Sequence, residues 1–237
     1  MRGASAVRRR RARAFRPLAL AVGAALLAAG MAGAQSSHSV TFDFLKPGSA
    51  PGAFDCGVTG PGGAGRWVVT QAMAEGGIRR VLAQTSQVPD LGRMPHCLLK
   101  NYAGADVEIV VLIRPVSGDR AQAGGLVWRA LDKQNYYALM LDAKNDQAAV
   151  YRVERGRPAP LPIAGEDRKY AHRIRIERDR WYQLRVRVTG ARFEIFLDNA
   201  KRFEVQDGVL RGAGAVGLAT LADSVVQFDA FNVARAR

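Results

Sequence analysis

The residues best equipped for chemistry lie close together. Trp128, Arg129, Asn135, Tyr136 and Tyr137 fall within one stretch of ten positions. Aromatic faces pack against the C–H surfaces of sugars, while planar amide and guanidinium groups hold sugar hydroxyls. In a hairpin, alternation sends Trp128 and Arg129 to opposite faces, and does the same for Tyr136 and Tyr137. Only one of each pair can then point into a given cleft. Charge selects Arg129 for the open face and leaves Trp128 for the core, with Asp142 or Asp223 as a structural partner for the guanidinium.

Hydrolytic machinery is harder to find. A retaining glycosidase needs two carboxylates about 5 Å apart, which a strand supplies at i and i+2 or i+4 on one face. Glu194 and Asp198 have that spacing, but Asp198-Asn199 reads as a hairpin turn. His38, His96 and His172 are scattered, with no His-x-x-x-His or Cys-x-x-Cys spacing for zinc. A Gly-x-Ser-x-Gly nucleophile elbow and a phosphate loop are both missing. Familiar hydrolase chemistry is disfavoured, and no cofactor is expected.

Strands must position these residues. Val186 and Val188 alternate with Arg185 and Arg187; Phe193, Ile195 and Leu197 alternate with Arg192 and Glu194; Ile174 and Ile176 alternate with Arg173 and Arg175. Val107–Ile113 is almost wholly apolar, as expected of a strand buried on both faces, and Arg114-Pro115 should end it. No window keeps the helical spacing for three turns. Thr189-Gly190 and Asp198-Asn199 supply hairpin turns. Short strands at this spacing imply a sandwich or barrel, with Pro47–Gly65 and Arg157–Tyr170 as the longer irregular stretches.

The N-terminus has a different logic. Seven arginines precede any acidic residue, an apolar run spans Pro17–Met31, and Ala32-Gly33-Ala34 follows. That order predicts a signal peptide over 1–34, cleaved to leave one domain over 35–237. The apolar run is short for a membrane core of about 30 Å, so no membrane span is expected after cleavage. The protein should be periplasmic or secreted. Seven of the fourteen net positive charges leave with the leader, so the remainder carries +7. With 29 Arg against 6 Lys, the excess reflects codon composition more than a phosphate-binding surface, and nucleic acid is not an expected partner. Export permits a disulfide between Cys56 and Cys97. The apolar run His96-Cys97-Leu98-Leu99 nevertheless favours two separate buried thiols.

From Gly124 onward the sequence resembles a known family. Gly124-Gly125-Leu126-Val127-Trp128-Arg129, then Asp132 and Asn135-Tyr136-Tyr137, is similar to the central hairpin of laminin-G-like, concanavalin A-like domains. Tyr151-Arg152-Val153, Gly156, Trp181, Leu197-Asp198, Gly214–Leu218, Ala222-Asp223-Ser224 and Phe228–Val233 continue the pattern. Within that family the resemblance is to small exported bacterial proteins labelled 3-keto-disaccharide hydrolase-like or family-16 glycoside hydrolase-like. It implies an all-β, two-sheet antiparallel jelly-roll sandwich. Family-16 enzymes carry Glu-x-Asp-x-x-Glu, which is absent here. Laminin-G-like domains often hold a rim calcium, and Asp223-Ser224 raises that idea without a ligand set dense enough to predict one.

The reading carried forward is an exported non-catalytic binding module for carbohydrate or another polyhydroxylated ligand. Its ligand-binding candidates are Arg129, Asn135, Tyr136, Tyr137, Asp142, Arg152 and Asp223. A hydrolase of the 3-keto-disaccharide type, with Asp142, Glu154, Asp198 and Asp223 as acids, is the alternative. A protein-interaction module of the envelope, using the basic Arg173–Arg187 strands, is a further one.

Overall fold

A computed structural model describes residues 37–74, 76–166 and 168–236, so the expected signal peptide lies outside the described residues. Within them there are sixteen strands and no helix. In chain order these are β1 (His38–Val40), β2 (Phe54–Thr59), β3 (Trp67–Ala74), β4 (Gly77–Gln84), β5 (Met94–Leu99), β6 (Val107–Ser117), β7 (Ala123–Asp132) and β8 (Asn135–Asp142). They continue as β9 (Gln147–Glu154), β10 (Arg157–Pro160), β11 (His172–Arg173), β12 (Tyr182–Thr189), β13 (Arg192–Leu197), β14 (Ala200–Gln206), β15 (Ala215–Thr220) and β16 (Val225–Arg235). Two antiparallel sheets result. The first runs β14-β13-β12-β6-β16-β4-β3, with β1 against β16; the second runs β10-β9-β8-β7-β15-β5-β2, with β11 against β9. The chain lays β7 to β10 in one sheet, β12 to β14 in the other, and returns through β15 and β16. This is a two-sheet antiparallel jelly-roll sandwich.

Inward alternation builds the core. Val107, Ile109, Val111 and Ile113 of β6 are 0% exposed, as are Leu184, Val186 and Val188 of β12. Each such side chain contributes roughly 1.5–3 kcal/mol by leaving water. Trp128 of β7 stacks on Tyr137 of β8 with centroids 5.8 Å apart, and meets Phe193 of the opposite sheet edge-on at 5.2 Å. One aromatic contact therefore ties both sheets together. The turns follow their sequence chemistry: Asp198 and Asn199 both have positive φ (51° and 63°), the conformation that a two-residue hairpin needs.

β6 departs from expectation in two ways. Its outward residues Glu108, Val110, Leu112 and Arg114 are only half-buried, so the strand is not buried on both faces. Their apolar character is sheltered by arginines of β12: Arg185 and Arg187 both reach Glu108, and Arg185 lies 3.8 Å over the Phe196 ring. Nor does Pro115 end the strand. It pairs with Val226 beside a register shift, where the regular ladder is already interrupted.

A second buried cluster occupies the outward face of the second sheet. Met94, Leu98, Val127, Tyr136, Ala138, Met140 and Val153 belong to it, while their sequence neighbours Cys97, Leu126, Trp128 and Tyr137 face the inter-sheet core. The sheet coils, and the end of the β7–β8 hairpin reaches β2 although β7, β15 and β5 lie between β8 and β2. Thr59 Oγ1 donates to the Lys133 carbonyl at 2.9 Å and accepts from the Tyr136 hydroxyl at 2.7 Å. Gln134 Nε2 donates to the Val58 carbonyl at 3.2 Å, and Lys133 pairs with Asp55 at 3.0 Å. Gly57 makes room for this latch, since a Cβ there would stand 2.7 Å from Lys133 Cδ.

Under the latch His96 is 0% exposed. Its Nδ1 lies 3.1 Å from the Met94 carbonyl, its Nε2 has no partner, and burial pushes its pKa down to about 4. The cysteines correct the sequence reading. Cys97 is a core residue, as expected, but Cys56 stands directly opposite it in the β2–β5 ladder, with Cα atoms 4.0 Å apart, and the two form a disulfide. Two runs 41 residues apart give no sequence sign of that register.

Two outcomes follow. Reducing Cys56–Cys97 should cost roughly 4 kcal/mol by the loop-closure relation, a fall in melting temperature on the order of 10 °C for a domain of this size; an unchanged melting curve would show that the bond does no thermodynamic work. His96 stays neutral when folded, so the unfolded chain takes up its proton first. Stability should be full above about pH 6.5 and fall as the pH drops toward about 4, by about 1.4 kcal/mol per pH unit. Urea midpoints for His96→Gln should lose that slope.

Candidate functional site

The site begins with an irregularity. Between Trp128 and Asp132 the β7–β8 register shifts, and Arg129 sits in the bulge with φ 48°. This left-handed conformation, costly for a residue with a Cβ, takes the side chain out of simple alternation. Arg129 therefore does not line an open face; it is 3% exposed. Nε donates to the Ala105 carbonyl at 3.0 Å, Nη1 to Leu210 at 3.2 Å, and Nη2 to Gly190 at 2.5 Å. Its carboxylate partner is Asp106 at 3.4 Å, neither Asp142 nor Asp223. Asp106 also accepts from the Gly190 N–H at 2.8 Å. One guanidinium thus ties together the 104–106 segment, the β12–β13 turn and the 207–212 loop.

Tyr137 and Arg152 secure the same loop from neighbouring strands. The Tyr137 hydroxyl donates to Asp207 and accepts from the Leu210 N–H at 3.0 Å. Burial, then the adjacent Asp207, pushes the phenol well above its ordinary range. Arg152 bridges Asp207 and Glu154, and these carboxylates outweigh its burial to raise its pKa. Arg129, Tyr137 and Arg152 therefore do converge, around a loop instead of on a hairpin face.

The remaining candidates are elsewhere and occupied. Asn135 donates to Asp132 at 2.9 Å and accepts from the Arg155 N–H at 2.9 Å. Tyr136 is sealed in the latch, 0% exposed. Asp142 accepts from the Lys144 N–H at 3.0 Å and from Asn145 Nδ2 at 2.6 Å, closing the β8–β9 turn. Asp223 is buried, yet accepts backbone N–H groups of Arg120, Ala121 and Asp119, which together outweigh burial and hold its carboxyl below the usual range.

What opens to solvent beside the Arg129 hub is a rim pocket of about 340 Å³. Its wall includes Asp106, Arg129, Gly190, Gly208, Arg211 and Gly212. That volume is at the small end of ligand pockets. Three glycines leave bare backbone at the wall. The Asp106 side chain is 44% exposed and turns acceptor capacity outward. Arg211 uses Nε on the Gly208 carbonyl at 2.6 Å, and its guanidinium is exposed. Neither Asp106 nor Arg211 carried a sequence signal, because each is a lone charge in a turn-rich segment.

Acid–base machinery is not assembled among the candidate acids. Glu154 is paired with Arg152, and Asp198 accepts from the Gln183 N–H at 3.0 Å and pairs with Arg180. The cross-strand pair Glu194 and Glu204 shares Lys201 at 2.7 and 2.9 Å, and Arg192 at 3.2 and 2.8 Å. The Arg192 hydrogen bond leads the effects that pull Glu204 down to about 2; Lys201 leads those that lower Glu194. Both stay ionised near neutrality, so neither can donate the proton that glycosidic cleavage requires. Among the described residues no group of three or more His, Cys, Asp or Glu is placed to hold a metal ion. No helix among them is long and apolar enough to cross a membrane.

No protein-family model and no curated protein matches the sequence. Solved structures do match in fold. The carbohydrate binding module CBM66 from Bacillus subtilis has a TM-score of 0.54 at 24% identity, covering 71% of this chain and 94% of that one. The cellulose-induced protein Cip1 gives 0.56 at 11% identity, covering 83% and 96%. Domain 4 of AbnA, an extracellular arabinanase from Geobacillus stearothermophilus solved with arabinotriose, gives 0.51 at 12% identity, covering 84% and 91%. At these identities the likeness is one of architecture.

Removing the buried hub should be expensive. Arg129→Ala leaves three loop carbonyls without their donor and should cost at least about 3 kcal/mol in urea unfolding. Arg129→Lys should recover only part, because one ammonium cannot reproduce the planar fork. Wild-type stability in Arg129→Ala would show that the three loops hold without it.

Proposed function

We propose that the protein is an exported, non-catalytic module that binds carbohydrate or another polyhydroxylated ligand in the rim pocket. The observation that carries this reading is the pocket's wall: an oriented carboxylate (Asp106), an exposed guanidinium (Arg211) and glycine backbone, around a space of about 340 Å³. Hydroxyls donate and accept, so they match a wall that carries both a carboxylate and a guanidinium. The pairing of every candidate acid with a structural partner supports a role without bond cleavage. The Bacillus module and the arabinanase domain, both built on this architecture, are described by their names as binding or holding sugars. The basic N-terminus, apolar run and Ala32-Gly33-Ala34 support export to the periplasm or beyond.

The test is thermal unfolding of the chain from Gln35 onward across an oligosaccharide panel. A sugar at about a hundred times its dissociation constant stabilises by roughly 2.7 kcal/mol, about 5–10 °C for this size. Arg211→Ala should abolish the shift while leaving the unliganded melting temperature unchanged. A flat panel would end the carbohydrate reading, and a shift that survives Arg211→Ala would move the site elsewhere.

A further inference from the structure

The β9–β10 turn carries positive charge that the fold does not use. Arg155 and Arg157 are both exposed, and among the described residues neither guanidinium has an ion pair or a hydrogen bond. Arg152 beside them is occupied by Glu154 and Asp207. With Glu154 and Ala159, the two free arginines line a cavity of about 590 Å³ that opens to solvent. That volume is within the range of small-molecule pockets.

Sequence and register account for the arrangement. Arg157 pairs with Glu154 and Ala159 with Arg152 across the β9–β10 ladder, so these four side chains share one face. Arg155 and Gly156 turn the chain with φ 49° and 75°, the positive values of a two-residue hairpin loop. The turn is then fastened to the tip of the β7–β8 hairpin. The Arg155 N–H donates to Asn135 Oδ1 at 2.9 Å, and the Gly156 N–H to the Gln134 carbonyl at 3.0 Å. A Cβ at Gly156 would stand 2.4 Å from Gln134 Oε1, so only glycine lets the turn close there. The backbone under both arginines is fixed while their guanidinium heads stay free.

β10 lies at the margin of the second sheet, where a further strand could add. Pro158 and Pro160 withhold two of its four N–H donors, which blunts that edge. A small ligand suits the space better than another strand. Two guanidinium forks select an anion, and their planar geometry matches a carboxylate. Glu154 adds a second requirement. Its Oε2 holds Arg152 at 2.6 Å, and a carboxylate in the wall repels a polyanion while accepting from hydroxyls. The combination calls for one negative charge on a hydroxylated body. We propose that this cavity binds an acidic sugar, with Arg155 and Arg157 gripping the carboxylate of a uronic acid and Glu154 taking its hydroxyls. The sugar class rests on the proposed carbohydrate role; the site shares no residue with the rim pocket.

Isothermal titration calorimetry of the purified protein tests this, with galacturonate, glucuronate and digalacturonate as probes and galactose, glucose and acetate as controls. The uronates should bind saturably, at least about tenfold more tightly (about 1.4 kcal/mol) than any control, and more weakly at high salt. Arg155→Gln and Arg157→Gln should each weaken that binding at least about tenfold, and Arg211→Ala should leave it unchanged. Both arginines are exposed and unpaired, so the unliganded melting temperature should hold in either glutamine variant. That separates lost binding from lost folding. No saturable heat with any uronate would overturn the proposal, as would uronate affinity unchanged in both glutamine variants. Neutral sugars matching the uronates would overturn it by removing the need for charge, and acetate matching them by removing the need for a sugar. A signal lost in Arg211→Ala would overturn it by assigning the uronate to the rim pocket. The expected uronate pattern alongside a flat neutral panel would sink the rim pocket and leave this site standing; the reverse pair of results would sink this site and leave the rim.

Discussion

The buried guanidinium of Arg129 is the interaction on which the rim of the sandwich depends. Loops at the end of a jelly roll have no ladder to hold them, and their carbonyls must find donors elsewhere. Here three carbonyls from three separate segments find one planar fork, and the charge they surround is balanced by Asp106. Only arginine offers that many donors in fixed geometry. The same residue absorbs the β7 bulge through its positive φ, so the backbone irregularity and the polar hub are one event. Past the bulge the β7–β8 hairpin is free to coil toward β2. The pocket and the latch therefore share an origin.

Coiling shapes both outward faces. In the second sheet it brings Lys133–Tyr136 onto Asp55–Thr59 and buries an apolar patch that a flatter sheet would leave wet. In the first it brings the Trp181 indole to the Met73 carbonyl. Apolar side chains gain by such closure, and their polar neighbours must be satisfied or left at a cost. His96 meets that cost by staying neutral. β2 is an edge strand carrying one half of the latch, and the Cys56–Cys97 bond ties it to β5. The covalent link sits where the ladder has a partner on one side only.

The fold was legible because it rests on period-two alternation and turn chemistry, both local. Val186 and Val188 point inward, Asp198-Asn199 turns the chain, and the Gly124–Tyr137 run forms the central hairpin. The site was legible only in part, because it rests on register between distant runs. Alternation put Arg129 on an open face, and it fails at a bulge that no neighbouring glycine or proline marks. Tyr136 looked like a sugar platform, yet coiling sealed it against Thr59. The disulfide was missed for the same reason: Cys97 was recognised as core, but its partner is set by which strand lies beside β5. Asp106 and Arg211 meet only through the folds of three loops.

Charge pairing decides which carboxylates of this scaffold can hold a proton. A general acid for glycoside cleavage must hold its proton near neutrality, which requires burial without a cation or a carboxylate neighbour left unneutralised. The arginine-rich composition works against both. Glu194 and Glu204 share Arg192 and Lys201, and these two cations hold both carboxyls below the usual range. Asp229 is the carboxylate whose burial raises its pKa, and Arg79 lies against it. Glu194 and Glu204 thus keep oriented hydrogen-bonding oxygens while neither holds a proton near neutrality. Under the proposed binding role, such fixed hydrogen-bonding groups are what a polyhydroxylated molecule would meet.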